Sequence, residues 1–247
     1  MTITSIDEIE NKNIPTLQPI KEVMDINVPS IPEGVSRRNG MIYILTGSGG
    51  SGKTSLLLSM FKSKDLYRNK FNNIYYICPE SSFLSVAKHP FRDHDKVIHE
   101  LNDGVLYGIY DELMELKEER TKKKKKPHYN LVILDDFADT LKLKNIQIVL
   151  NKMLIKARHL NCGFIFTLQS YFYFPRMLRK QISFATIFKP KNIAEFETLA
   201  KELFNMKSED ALKLFNYVFN EPYSHLDVDT VTNIYYKNFN KLIINEK

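Results

Sequence analysis

Apolar residues in this chain follow two spacings that alternate along it. Short unbroken runs at Met41–Leu45, Asn73–Cys78, Leu131–Leu134, Gly163–Leu168 and Ile182–Phe188 have the length and composition of strands buried on both faces. Between them, apolar residues recur every three or four positions, which predicts helices at Ser55–Phe61, Phe83–Lys88, Leu101–Arg120 and Thr140–Leu160. In the last of these, Leu143, Ile146, Leu150, Met153, Leu154, Ala157 and Leu160 share one face, with Lys152, Lys156, Arg158 and His159 off it. Such alternation predicts an α/β fold: a mostly parallel central sheet flanked by helices. Beyond Pro190, two helical patterns (Ile193–Phe204, Glu209–Phe219) and two strand-like runs (Tyr223–Val228, Thr232–Tyr236) predict a small C-terminal appendage covering the sheet edge. Residues 1–39 sustain neither period and are broken by Pro15, Pro19, Pro29 and Pro32. They read as an extended or disordered arm that either packs over the domain or docks on a neighbouring subunit. The expected organisation is thus an arm (1–39), a core (40–190) and an appendage (191–247).

The first strand runs directly into Gly47-Ser48-Gly49-Gly50-Ser51-Gly52-Lys53-Thr54-Ser55, which satisfies the phosphate-binding pattern G-x-x-x-x-G-K-[ST] between a strand and a helix. Glycines at 47, 49, 50 and 52 permit positive φ and let the backbone approach a ligand closely. Successive N–H groups and the helix N-terminus then form an anion nest. Lys53 is placed to reach the β- and γ-phosphates of a nucleoside triphosphate, and the Thr54 hydroxyl to ligate Mg²⁺.

The run Leu131–Leu134 ends in Asp135-Asp136, so a buried strand delivers two carboxylates beside that loop. Asp135 is the expected Mg²⁺ ligand, through water, and Asp136 the group that orients and deprotonates an attacking water. Gly163–Leu168 closes with Gln169. A strand inserted between the loop strand and the acid strand, ending in a polar residue, marks the P-loop ATPases with an added central strand; Gln169 is then a γ-phosphate sensor. A guanine-specifying [NT]-K-x-D stretch is not matched: Asn151-Lys152-Met153-Leu154 lacks the aspartate.

Composition narrows the picture further. The formal net charge is +6, and five of the positives sit together at Lys122–Lys126, before Pro127. That run reads as a charged loop, either solvated or in contact with nucleic-acid phosphates. Two cysteines, Cys78 and Cys162, exclude a disulfide framework, and His89, His94 and His99 lack the companions of a zinc site. The acidic, polar N-terminus is unlike a signal peptide, and no apolar run approaches the ~20 residues of a membrane helix. The chain reads as soluble and not secreted.

Three motifs together carry a family resemblance: GSGGSGKTS at 47–55, LVILDDF at 131–137, and KARHLNCGFIFTLQSYFYFPRMLRKQISFATIF at 156–188. The chain resembles the FtsK–HerA class of P-loop ATPases, and within it the genome-packaging ATPases of large double-stranded DNA viruses and virophages. The resemblance covers about residues 40–190. It implies a RecA-like (ASCE) P-loop NTPase that hydrolyses ATP with Mg²⁺ and drives duplex DNA into a preformed capsid. It also implies a homo-oligomeric ring, pentameric or hexameric, docked at a capsid vertex in the host cytoplasm or a viral factory. Lys53, Asp136 and Gln169 carry over as catalytic groups, with Glu80 as an alternative base. Arg158, or second Arg179, is the expected arginine finger acting on the neighbouring subunit's site. A small-molecule P-loop kinase and a non-motor nucleotide switch are the competing readings.

Overall fold

The computed structural model describes residues 27–28 and 30–244. Nine strands form one sheet: β1 (Ile42–Thr46), β2 (Asn73–Ile77), β3 (Val97–Ile98), β4 (Asn130–Leu134), β5 (Cys162–Leu168), β6 (Phe184–Phe188), β7 (His225–Asp229), β8 (Ile234–Lys237) and β9 (Asn240–Lys241). Their order is β3-β2-β4-β5-β1-β6-β7-β8-β9. The strands from β3 to β6 are parallel, and β7, β8 and β9 continue the sheet antiparallel. β5 lies between β1 and β4, as the added central strand requires.

Each central strand is apolar throughout because both faces are covered. Along β1, Ile42 and Ile44 enter one core while Met41, Tyr43 and Leu45 enter the other; Val132 and Leu134 against Leu131 and Ile133 do the same in β4. The first core is closed by α3 (Asp103–Lys122), α4 (Lys144–Ile155), α5 (Ile193–Glu202) and α6 (Ser208–Val218). The second is closed by α1 (Lys53–Lys62) and the aromatic side chains Tyr67, Phe83 and Phe91, with α2 (Glu80–Leu84) at its margin.

Several elements depart from the sequence pattern. Thr140–Leu160 is not one helix. A 3-10 turn covers Thr140–Lys142, Leu143 is extended (ψ 131°), and α4 ends at Ile155. The Gln147 amide donates to the carbonyls of Leu141 and Lys142, which satisfies the break. At the far end, Asn161 takes a left-handed conformation (φ 48°) and the Cys162 N–H returns to the Ala157 carbonyl, so Arg158 and His159 lie in a turn and not on a helix. Gly40 explains why that turn packs where it does: at φ +69°, its Cβ would lie 2.5 Å from the Arg158 nitrogen.

The short helix falls at Glu80–Leu84, not Phe83–Lys88; Pro79 at its N-cap, whose carbonyl accepts from the Phe83 N–H, opens it early. Lys122 ends α3, so only part of the basic run is loop. The two-residue β3, which no periodicity could reveal, follows the polar turn at Asp93–Asp95.

The C-terminal strands do not lie over the sheet edge but extend it. Asp227 explains why β7 belongs there. It is fully buried, and its carboxylate accepts from Thr186 Oγ1 of β6 (2.6 Å), His225 Nδ1 (2.9 Å) and the Phe239 N–H (2.9 Å). Tyr43 of β1 donates in turn to Thr186 (2.8 Å). Of the N-terminal arm, Val28, Ile31 and Val35 are buried in the second core, and the Tyr67 hydroxyl donates to the Ser36 carbonyl (2.6 Å). Residues 1–26, on which any docking to a neighbour would rest, lie outside the described residues.

Asp227→Ala strands three donors in the interior and is expected to cost about 3 kcal/mol. Urea unfolding measures this; a loss within ~0.5 kcal/mol of wild type would show that the network does not hold β7 to β6.

Candidate nucleotide site

The loop from Gly47 to Gly52 leaves the C-terminal end of β1, the edge where open α/β sheets hold ligands. Gly52 occupies the N-cap of α1 with φ 104°, a conformation few side chains tolerate. No side chain caps α1, and its first turn holds no acid, so its amides and dipole face outward unopposed. Of the four loop glycines, Gly50 and Gly52 take positive φ. Gly47 answers a different constraint, since a Cβ there would lie 2.6 Å from Phe188 Cβ. Lys53 folds back over the loop, donating to the carbonyls of Gly47 (2.5 Å) and Ser48 (3.0 Å). Burial lowers its pKa, opposed by the nearby Asp135 and Asp136. A cation held this way is positioned for anionic phosphate without a fixed carboxylate competing for it.

β4 delivers Asp135, whose N–H continues the ladder to the Ile77 carbonyl (2.9 Å). The chain then turns sharply at Asp136 (φ 64°), which exposes the second carboxylate. Asp135 is buried and accepts from two hydroxyls, Tyr76 Oη at 2.5 Å and Thr167 Oγ1. The Thr167 oxygen also accepts the Asp136 N–H (3.1 Å), so one hydroxyl fixes both acids. Behind Tyr76 stands His89. The Phe91 N–H donates to His89 Nδ1 (3.2 Å), so the ring proton sits on Nε2 and donates to Tyr76 Oη (3.3 Å). Burial holds the His89 pKa down to about 4, so the ring is neutral. Burial also raises the Asp135 pKa, and the Thr167 and Tyr76 hydroxyls oppose that shift.

Gln169, just past β5, donates to Asp136 Oδ1 (3.3 Å), and Ser82 of α2 donates to Oδ2 (2.9 Å). Lys53, Asp135, Asp136 and Gln169 therefore converge. Glu80 opens α2 but is not among the residues lining the acidic cleft, where α2 and the turn after it contribute Ser82, Ser85 and Val86. Arg158 is exposed at the opposite edge of the sheet, a strand length (about 17 Å) from the loop of its own subunit. Arg179 is 12% exposed at its side chain. It pairs with Glu202 (3.1 Å), donates to the Phe174 carbonyl (3.0 Å) and lies over the Tyr171 ring.

Two clefts meet at the N-terminus of α1. One, of about 500 Å³, is lined by Thr54, Ser55, Ser82, Asp135 and Asp136. The other, of about 750 Å³, lies on the β6–β7 side against Gly52, Phe188 and Tyr223. The acidic cleft fits Mg²⁺ by its donor set: an alcohol and carboxylates, hard oxygen ligands. Among the described residues no three His, Cys, Asp or Glu side chains converge as a metal cage. An ion here would draw its remaining ligands from phosphates and water, as Mg²⁺ commonly does.

At the opposite edge, a groove of about 210 Å³ is lined by Lys117, Arg120, Lys125, His128 and His159, with no acidic side chain among the described residues that line it. Lys122 and Lys123 pair with Glu118 and Glu119. Burial and the Arg120 charge depress the His128 pKa, and its Nδ1 is buried without a hydrogen-bond partner.

Sequence reasoning missed Tyr76, Thr167, Ser82 and Tyr223. Thr167 left a trace, as a polar residue inside an apolar run two positions before Gln169. Tyr76 left none, because an aromatic residue in a buried strand reads as core.

A phosphate loop, an acid-tipped strand and an intervening strand ending in Gln169 define a P-loop ATPase with an added central strand. The chain belongs to the Poxvirus A32 protein family, which matches residues 37–221. Its fold is similar to that of B204, the DNA-packaging ATPase from Sulfolobus turreted icosahedral virus, with a TM-score of 0.57 at 16% identity over 83% of this chain and 98% of that one. B204 from Sulfolobus turreted icosahedral virus 2, a genome-packaging NTPase solved with AMPPCP, gives 0.54 at 17% identity over 84% and 100%. EssC (ATPases 2 and 3) from Geobacillus thermodenitrificans gives 0.54 at 14% identity over 87% of this chain and 46% of that one. No curated protein matches significantly by sequence.

The raised Asp135 pKa fixes a sign. The folded state holds that proton more tightly than the unfolded state, so stability falls as pH rises from the ordinary carboxylate range through the raised value. Asp135→Asn carries no titrating group there, so the difference in Tm between this variant and the ligand-free wild type is expected to move in the variant's favour as pH rises from 4 to 7. A difference that does not change with pH would overturn the assignment.

Proposed function

We propose that this protein is an ATP-hydrolysing motor that translocates double-stranded DNA and packages a viral genome into a preformed capsid. The observation that carries hydrolysis is the convergence of Asp136 and Gln169, 3.3 Å apart, beside the phosphate loop. The loop amides of Gly47–Thr54 and the Lys53 ammonium bind the β- and γ-phosphates. Thr54 and Asp135 would hold Mg²⁺, which would supply charge neutralisation at the phosphates. Asp136 takes the proton of the attacking water; Gln169 and Ser82 hold that carboxylate in place, and Gln169 reports the γ-phosphate to it. Asp136 fits the base role better than Glu80, because it stands in the acidic cleft. Ser55 completes the set of groups at the head of α1.

Family membership and likeness to packaging ATPases support duplex DNA as the polymer moved, and the basic side chains of the groove supply a surface suited to phosphates. The same reading implies a pentameric or hexameric ring at a capsid vertex, in the cytoplasm or virus factory or on the virion. Among the described residues no helix is long and apolar enough to cross a membrane.

Phosphate release from ATP, with and without long duplex DNA, tests the reading. Hydrolysis stimulated by DNA and abolished by Lys53→Ala is expected. Activity dependent on a small acceptor would indicate a kinase, and slow turnover indifferent to DNA a switch.

For the trans finger, Arg158, exposed in the turn before β5, is the first candidate and Arg179 the second. A finger contributes about 10³-fold or more in rate. Mixing Arg158→Ala with Asp136→Ala subunits should restore activity at hybrid interfaces that pair an intact site with an intact finger. Failure to complement at any ratio would remove Arg158 from the role.

A further inference from the structure

We infer that Tyr223 is the platform for the base of the bound nucleotide, on the β6–β7 side of the phosphate loop, with the Ser224 hydroxyl as a polar contact beside it. This rests on the nucleotide-binding reading of the loop and adds where the nucleoside goes.

Direction comes first. The acidic cleft and the aromatic cleft share Thr54 and Ser55, so they meet over the amides at the head of α1. A triphosphate lying on those amides, with its terminal phosphate towards Asp135 and Asp136, carries its nucleoside out on the other side. That side is the larger cleft, whose volume of about 750 Å³ is within the range of small-molecule sites.

The wall of that cleft is unusual in two independent ways. Tyr223 is 73% exposed, so packing does not account for its ring, and it takes φ 61°, a backbone conformation that is an outlier for a bulky residue. Strain of this kind is retained where the surroundings impose it, and it clusters at ligand clamps. The ring is held close to the loop: a Cβ built on Gly52 would stand 3.5 Å from Tyr223 Cδ1 and 3.6 Å from Phe188 Cε1. Phe188 is buried beneath, stacked at a tilt on His225 (5.6 Å), whose Nδ1 is anchored by Asp227. The Tyr223 ring thus stands exposed beside Gly52, on the same cleft wall as the buried Phe188. The second observation is Ser224. It is 5% exposed and lines the same cleft, yet its Oγ has no hydrogen-bond partner. A buried hydroxyl left unpaired carries a cost that a polar ligand edge, of a base or a ribose, would relieve. Aromatic stacking accepts any base, which matches a site where the phosphates supply most of the affinity.

Calorimetric titration of the full chain with ATP and with inorganic tripolyphosphate, both with magnesium, tests the inference. Tyr223→Ala is expected to weaken ATP binding about tenfold or more and leave tripolyphosphate unchanged. Tyr223→Phe keeps the ring and should bind ATP as wild type does. Tyr223→Gly relieves the backbone strain, so a purely structural role would leave ATP binding intact; a base platform predicts loss equal to that of Tyr223→Ala. Unchanged ATP affinity in the Ala and Gly variants, or an equal loss for tripolyphosphate, would overturn the platform alone. Wild-type protein that binds neither ligand would overturn the nucleotide reading and the platform with it.

Discussion

The hydroxyl of Thr167 governs the geometry on which the site depends. It donates to the buried Asp135 carboxylate and accepts the N–H of Asp136, so the two acids at the end of β4 are locked to the strand beside them. A buried carboxylate is costly unless it is paired with charge or hydrogen-bond donors. Here the offset comes from two hydroxyls, with the Lys53 charge nearby. The second hydroxyl, of Tyr76, is itself fixed by neutral His89, whose ring packs among Tyr76, Phe83 and Phe91. The electrostatics of the acids are therefore set by an aromatic cluster in the second core. Once Asp135 is held, the left-handed turn at Asp136 follows, because the chain must leave β4 while its next N–H stays on Thr167.

That dependence explains which parts of the molecule could be read from the residues alone. The phosphate loop and the acid pair are contiguous, and their chemistry is written in adjacent letters. The order of the central strands was legible too, because β5 must separate β1 from β4 for Gln169 to reach the acids. Tyr76, Thr167 and Tyr223 were not legible, since their roles exist only once strands distant in sequence stand side by side. The helix over Thr140–Leu160 misled for a related reason. Its apolar stripe is real from Ile146 onward, where Ala157 and Leu160 stay buried after the backbone has left the helix, but Leu143 at the other end is exposed. Periodicity reports which side is buried, not whether the hydrogen-bond ladder is continuous. The C-terminal strands were seen as short apolar runs, but the buried Asp227 that joins them to β6 reads in sequence as an exposed acid.

The sheet has two chemically different edges. At the C-terminal ends of the strands, the loop amides, the acids and Tyr223 surround two clefts that meet over α1. At the N-terminal ends, Lys117, Arg120, Lys125, His128 and His159 line a groove with no acid among its described lining residues, and Arg158 stands in the adjacent turn. This separation keeps the basic side chains away from Asp135 and Asp136, which would otherwise pair with them and lose their availability to metal and water. Beside the groove, Lys122 and Lys123 pair locally with Glu118 and Glu119.

β5 joins the two edges directly. It begins one residue after Asn161, whose turn carries Arg158 and His159, and ends one residue before Gln169. Its seven residues span about 23 Å and are buried throughout; 164–168 pair with β1 and 162–166 with β4. A close-packed strand of this kind does not stretch or bend to absorb a displacement at one end. Movement of Gln169 against a phosphate must therefore either break its contact with Asp136 or shift the central strands together. In the second case the turn at Arg158 and the groove beside it shift as well. A motor of the proposed kind requires hydrolysis at one edge to alter the grip or the subunit contact at the other, and β5 is the strand that reaches from one of those edges to the other.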